Sequence, residues 1–180
     1  PCKVALIVEA VDAEGNVIQT VGERKFLRDF PFAGPYHGPA LDYKESARMA
    51  MYFVHRMPAV QNWKTSTVPD MSYTHNTYAC KIIGATIRTE VLVAREFPML
   101  AEEATLIARN AAQFLIDMSC PADSPLAYFP PTYYMNLVNS SRDWNQGKAM
   151  TFEPTMAGNA FLDLYDLTGD QKYYDHAIGI

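Results

Sequence analysis

No stretch of this sequence is apolar for long enough to span a membrane. The longest apolar runs, such as Val4–Val8, fall far short of the roughly 20 residues a span requires. Charge of one sign is not concentrated either. The 20 acids and 15 bases leave a net charge of -5 without runs, which speaks against the basic patch that nucleic acid or an anionic membrane surface needs. Cysteine is scarce: Cys2, Cys80 and Cys120 have neither metal-ligand spacing nor the density of a disulfide framework. They read as free thiols, each packed as a small hydrophobe. They leave the compartment open, a secreted or periplasmic location included, and Pro1 in place of Met leaves room for a removed leader. Gly-rich phosphate loops, His-Glu-x-x-His, Cys-x-x-Cys and Gly-x-Ser-x-Gly are all missing, so neither a metal nor a cofactor is expected.

What the chain does have is apolar bulk. Hydrophobic residues make up 49% of 180 positions, enough for one packed domain with a small appendage. The appendage is residues 1–28. Val4–Val11 is β-prone, Asp12-Ala-Glu-Gly-Asn16 supplies a turn, and Val17–Val21 returns, which predicts a β-hairpin. A lone hairpin is marginal in water, so this one is expected to pack on something, for instance as the last hairpin of a preceding β-domain. Residues 29–42 hold three prolines and two glycines and read as irregular.

From about Tyr43 the apolar spacing becomes helical. Ala47, Ala50/Met51, Val54 and Met57 share a face, and Pro58 is expected to stop that helix. A second helix, Ala79–Arg95, is apolar nearly all round and should be buried on most sides. Arg88 inside it needs an acid, either Glu90 or one from a neighbouring helix. A third helix, Met99–Met118, is amphipathic. A fourth runs from Pro154 to Leu167, with proline in a first turn where its missing N–H costs nothing. Thr168-Gly-Asp170 ends it, and a fifth starts at Gln171.

Two stretches echo each other. Arg88–Ala104 lies on Phe161–Ala177 without a gap, at a constant offset of 73 residues. Each reads as a buried helix, a tight turn and an amphipathic helix, the kind of unit that stacks because it cannot bury its own apolar face. Asn159-Ala-Phe-Leu-Asp-Leu-Tyr-Asp-Leu-Thr-Gly-Asp-Gln-Lys-Tyr-Tyr-Asp-His-Ala177 resembles the inner-helix, Thr-Gly-Asp turn, outer-helix hairpin of (α/α)6 toroids. That fold is shared by many carbohydrate-active enzymes, among them six-hairpin glycosidases, unsaturated-uronyl hydrolases, polysaccharide lyases and sugar epimerases. The resemblance covers residues 43–180 and is more specific for the hairpin than for any chemistry. It implies a mainly α domain over 29–180, an incomplete toroid whose C-terminal hairpins are missing, with an oligosaccharide or polysaccharide as partner.

Within such hairpins the turns are short and the connections between hairpins are long, here about 58–78 and 119–153. Both lead into inner helices and so fall at one rim. Loops of that length are usually functional. Theirs are rich in Trp, Tyr, Asn, Asp and His, which suits a sugar: aromatic faces cover its C–H surface, and polar groups bond its hydroxyls. Asp70, His75 and Glu153 are the candidate catalytic groups, and Trp63, Tyr73, Asn76, Tyr128, Tyr133, Tyr134 and Trp144 the candidate substrate contacts. Each has a structural alternative. In it Asp70 or Thr74 serves only to close a turn, Glu153 to interact with a helix dipole, and the 128–134 aromatics to pack the loop. Asp42 and Asp143 are substitute acids, His37 is a further candidate for the rim, and His55 and His176 read as packing or surface residues. Paired carboxylates would make the enzyme a glycoside hydrolase, whereas His75 with a tyrosine would suit a lyase or epimerase. A non-catalytic repeat that binds a glycan or protein is the alternative from another class.

Overall fold

The computed structural model describes residues 2–28, 41–134 and 148–180. The chain divides into two compact units, residues 1–40 and 41–180. The first contains β1 (Cys2–Val11) and β2 (Val17–Arg28), paired antiparallel from Cys2 opposite Arg28 to Val11 opposite Val17. Register shifts at Val8/Glu9 and Ala10/Val11 bulge the ladder near its turn. Asp12 builds that turn. Its carboxylate accepts from the Glu14 and Asn16 amides at 3.0 and 2.8 Å and from Asn16 Nδ2 at 3.0 Å, which holds its pKa below the usual value. Gly15 sits at φ +87°, where any other L-residue would be strained. Leu6, Ile7, Val8, Val17, Ile18 and Val21 are exposed.

The second unit is helical: α1 (Tyr43–His55), α2 (Pro58–Gln61), α3 (Ala79–Glu96), α4 (Ala101–Asp117), α5 (Phe152–Thr168) and α6 (Gln171–Gly179), with single 3₁₀ turns at Asn62–Lys64, Thr74–Thr77 and Pro98–Leu100. The protein is thus mainly α with an N-terminal hairpin. Asp42 caps α1, its Oδ1 accepting from the Glu45 amide at 2.8 Å. Pro58 ends α1 but also opens α2, taking the first helical position where no donor is lost. Gly169 closes α5 at φ +70°, its amide donating to Tyr165 O at 2.7 Å.

The short turns at 97–100 and 169–170 fold α3 back into α4 and α5 back into α6. α3 and α5 run parallel and level with each other. Gly84 approaches Ala157 and Arg88 reaches Asp163 at 2.7 Å, so pairs about 73 positions apart stand side by side. Arg88 therefore takes the acid of the neighbouring helix rather than Glu90. The core is made where these helices meet, by Ile83 and Ile87 of α3, Ile107 and Leu115 of α4, and Phe161 and Leu164 of α5. Burying each such side chain contributes about 1.5–3 kcal/mol. α3 is not covered all round: Lys81, Ala85, Arg88, Leu92 and Arg95 form an exposed stripe.

Gly84 sets the spacing of α3 and α5. A Cβ there would meet Ala157 Cα at 3.5 Å and its nitrogen at 3.6 Å, ordinary contact with no room beyond it. Gly84→Ala should therefore fold with unchanged or higher stability, since alanine gains up to about 1 kcal/mol in a helix. Gly84→Leu should cost about 1–3 kcal/mol by overpacking. Thermal melts of the two variants check this.

Candidate functional site

The N-terminal ends of α3 and α5 and the segment 119–134 gather at one end of the helical unit. The segment folds on itself through Cys120 N donating to Phe129 O and Tyr128 N to Cys120 O, at 2.9 and 3.0 Å. It is fastened to α3 by Tyr134 N donating to Thr77 O at 2.8 Å and by the Cys80 thiol, which points at Pro131 O at 3.0 Å. Tyr78 and Tyr133 bring their rings to 5.9 Å. Thr132 is buried and accepts from the Met150 amide at 2.9 Å, which ties the approach to α5 into the same cluster.

Glu153 lies in the first turn of α5 and is 8% exposed. Its Oε2 is buried without a hydrogen-bond partner among the described residues. Burial pushes its carboxyl above the usual range, and the Lys81 charge partly offsets that rise. The same burial, with the Glu153 charge second, pushes the Cys80 thiol up to about 12. Cys80 is therefore inert in the folded protein. A thiol reagent at pH 8 should leave it unlabelled until denaturant is added, and rapid labelling of Cys80 in the native state would contradict this packing.

The 70–78 turn is arranged differently. Asp70 Oδ1 accepts from the Ser72 amide and hydroxyl at 2.8 and 2.7 Å, and its carbonyl accepts from Asn76 Nδ2 at 3.1 Å. The carboxylate thus closes the turn, and Asn76, 3% exposed, braces it. His75 is exposed, its ring 5.1 Å from that of Tyr73. Tyr73 and Asn76 line a cleft of about 220 Å³ with Val54, Ile82 and Thr86. No hydrogen bond or ion pair joins this turn to Glu153 among the described residues. The expected site residues therefore fall into two groups around the start of α3: Asp70, Tyr73, His75 and Asn76 in one, Tyr133, Tyr134 and Glu153 in the other.

Two expected contacts lie elsewhere, and a third, Tyr134, turns its ring onto the core. Trp63 is not on the rim. The 58–64 segment continues as helical turns that direct the ring inward, where it is 1% exposed and 5.7 Å from Phe114, while its carbonyl accepts from Asn110 at 2.7 Å. Its value is to the core, and a ligand cannot reach it. Tyr128, at φ +63°, packs edge-on to His176 of α6 at 5.2 Å. Tyr134 packs edge-on to Phe114 at 5.3 Å. Trp144, Asp143 and His37 lie outside the described residues.

Sequence reasoning missed a second polar cluster. His55 of α1, 3% exposed, meets fully buried Glu90 of α3, Nδ1 to Oε2 at 2.7 Å. Its Nε2 is 3.4 Å from Glu103 of α4, which binds Lys64 at 2.9 Å. Burial raises the Glu90 pKa, the His55 contact opposing it, while Lys64 lowers that of Glu103. The available signal was an acid in the middle of an apolar helix. Among the described residues, no cluster of three or more His, Cys, Asp or Glu is disposed to hold a metal, and no helix is long and apolar enough to cross a membrane. Comparison with family models, curated proteins and solved structures found no match to the chain.

Proposed function

We propose that the helical unit is part of an (α/α) toroid and that the protein is a carbohydrate-active enzyme, a glycoside hydrolase acting on an oligosaccharide, with its substrate at the rim described above. In support, α3/α4 and α5/α6 are successive helical hairpins whose first helices stand parallel and level. The observation that carries the chemistry is Glu153. An acid at the start of α5, with a buried oxygen free of partners among the described residues and a raised pKa, is suited to act as a general acid that delivers a proton to a leaving-group oxygen. Tyr78 and Tyr133 supply aromatic surface at the same end of α3. Lys81 beside Glu153 can bond a hydroxyl or carboxylate of the sugar. In this reading the second carboxylate is Asp70, whose Oδ2 is not used by the turn that engages Oδ1.

The reading is tested on a panel of neutral and uronate oligosaccharides by assaying reducing ends and, by ultraviolet absorbance, unsaturated products. A hydrolase releases reducing ends without new absorbance, and Asp70→Asn lowers the rate. Absorbance that depends on exposed His75 and vanishes in His75→Ala would move the assignment to a lyase. Binding without turnover of any glycan would leave a non-catalytic binding repeat.

A further inference from the structure

The exposed stripe of α3 carries two arginines that the rim does not use. A cleft of about 440 Å³ opens along it, lined by Ala85, Arg88, Thr89, Leu92, Arg95 and Asp163. Arg88 donates through Nε to Asp163 at 2.7 Å, and its two terminal nitrogens have no partner among the described residues. Arg95 has no hydrogen-bond or ion-pair partner among them. Neighbouring acids of α3 and α5 are engaged or turned away. Glu96 binds Arg48 of α1 at 3.1 Å, and Asp166 does not line the cleft. Two residues seven apart on a helix share a face with their Cα atoms about 10 Å apart, within the joint reach of two arginine side chains. Leu92 between them, and Ala85 one turn before Arg88, offer apolar surface.

The planar guanidinium fork binds carboxylate or sulfate oxygens in pairs, and the apolar surface suits the C–H face of a ring. We infer that this cleft is a second binding site, for the carboxylate or sulfate group of an acidic glycan, separate from the rim. Arg95 is about 24 Å from the start of α3 by helical rise, so rim and cleft would engage different parts of a chain or different molecules. That the ligand is a glycan rests on the proposed function; that it is anionic rests on the arginines alone.

Isothermal titration of the full chain separates these. The probes are tetragalacturonate as the carboxylate source, a heparin-derived tetrasaccharide as the sulfate source, cellotetraose as the neutral control and inorganic sulfate. At least one acidic tetrasaccharide should bind, with affinity falling tenfold or more in Arg95→Gln, which leaves the Arg88–Asp163 pair intact. Lys172→Gln, an equal loss of charge on α6, should leave that affinity unchanged. Whichever acidic probe binds identifies the preferred group. Equal affinity for cellotetraose, or indifference to Arg95→Gln and Arg88→Gln, overturns the inference while leaving the rim untouched. Inorganic sulfate binding as tightly as the tetrasaccharides reduces the cleft to an anion site and overturns the glycan assignment. Failure of every acidic probe overturns it as well, with the rim still judged by turnover.

Discussion

His55→Ala should lower stability by about 3–5 kcal/mol, the cost of leaving a buried charge without its partner. Glu90 is fully buried, its Oε2 lies 2.7 Å from His55 Nδ1, and its Oε1 has no partner among the described residues. Removing the imidazole leaves the carboxylate in the packed angle of α1, α3 and α4, where it can only strip a proton from solvent or carry an uncompensated charge. The sign of the pH dependence follows. Burial raises the folded-state pKa of Glu90, with His55 the largest opposing influence. In the variant that opposition is gone, so the folded state holds its proton more tightly than the unfolded chain. Stability then falls as pH rises from the ordinary carboxylate value of 4.5 through the raised one. The loss should be smaller at pH 5 than at pH 7 by urea denaturation. Replacing both residues with apolar ones of similar volume should recover much of it. A loss under about 1 kcal/mol, or one without pH dependence, would show that the pair is not held as described.

Glu153→Gln should lower kcat/KM by about 10²–10⁴-fold, the range of one general acid. It should also remove the alkaline limb of the pH–rate profile. The same change should raise the melting temperature at pH 7. Burial lifts the Glu153 pKa, so above the usual carboxylate range folding must bury a charge, and the amide removes that cost. The gain should fade as pH falls through and below 4.5, where the unfolded chain takes up the proton as well. Opposite signs for activity and stability mark a strained functional group. If the acid serves only the positive end of α5, the amide would instead lower stability at neutral pH, because a favourable charge–dipole interaction is lost, and the rate would be unaffected.

These two groups differ in how far the sequence discloses them. Glu153 is legible because it precedes Pro154, and a proline in a first turn fixes its neighbour at a helix start. The β1–β2 turn, the Asp42 cap and the Gly169 stop are legible for the same reason: each is set by a few adjacent residues. His55 and Glu90 lie 35 positions apart, and periodicity assigns faces without pairing polar residues across helices. The polar and aromatic surroundings of Trp63 point it to the rim, whereas it is 1% exposed in the core. Its burial depends on residues 58–64 continuing as helical turns, a propensity that Pro58 conceals by first ending α1. Asp70 shows the reverse: the residue type suits catalysis, while one oxygen is already committed to the Ser72 turn.

The parallel placement of α3 and α5 was foreshadowed by the 73-residue echo, because level packing needs small residues at matching positions, and Gly84 and Ala157 supply them. What that echo does not carry is chemistry. The rim gains its chemical character from the 119–134 segment bonding to Thr77 and Cys80, contacts between residues about fifty positions apart that no local pattern encodes.

The most direct test of the rim as a glycan site is amide chemical-shift mapping of the protein against neutral and acidic tetrasaccharides. At least one should perturb Tyr78, Lys81, Tyr133 and Glu153 together, and Glu153→Gln should retain the binding while losing turnover. A panel that leaves all four unperturbed, or that perturbs only residues at the far end of α3, would contradict the account.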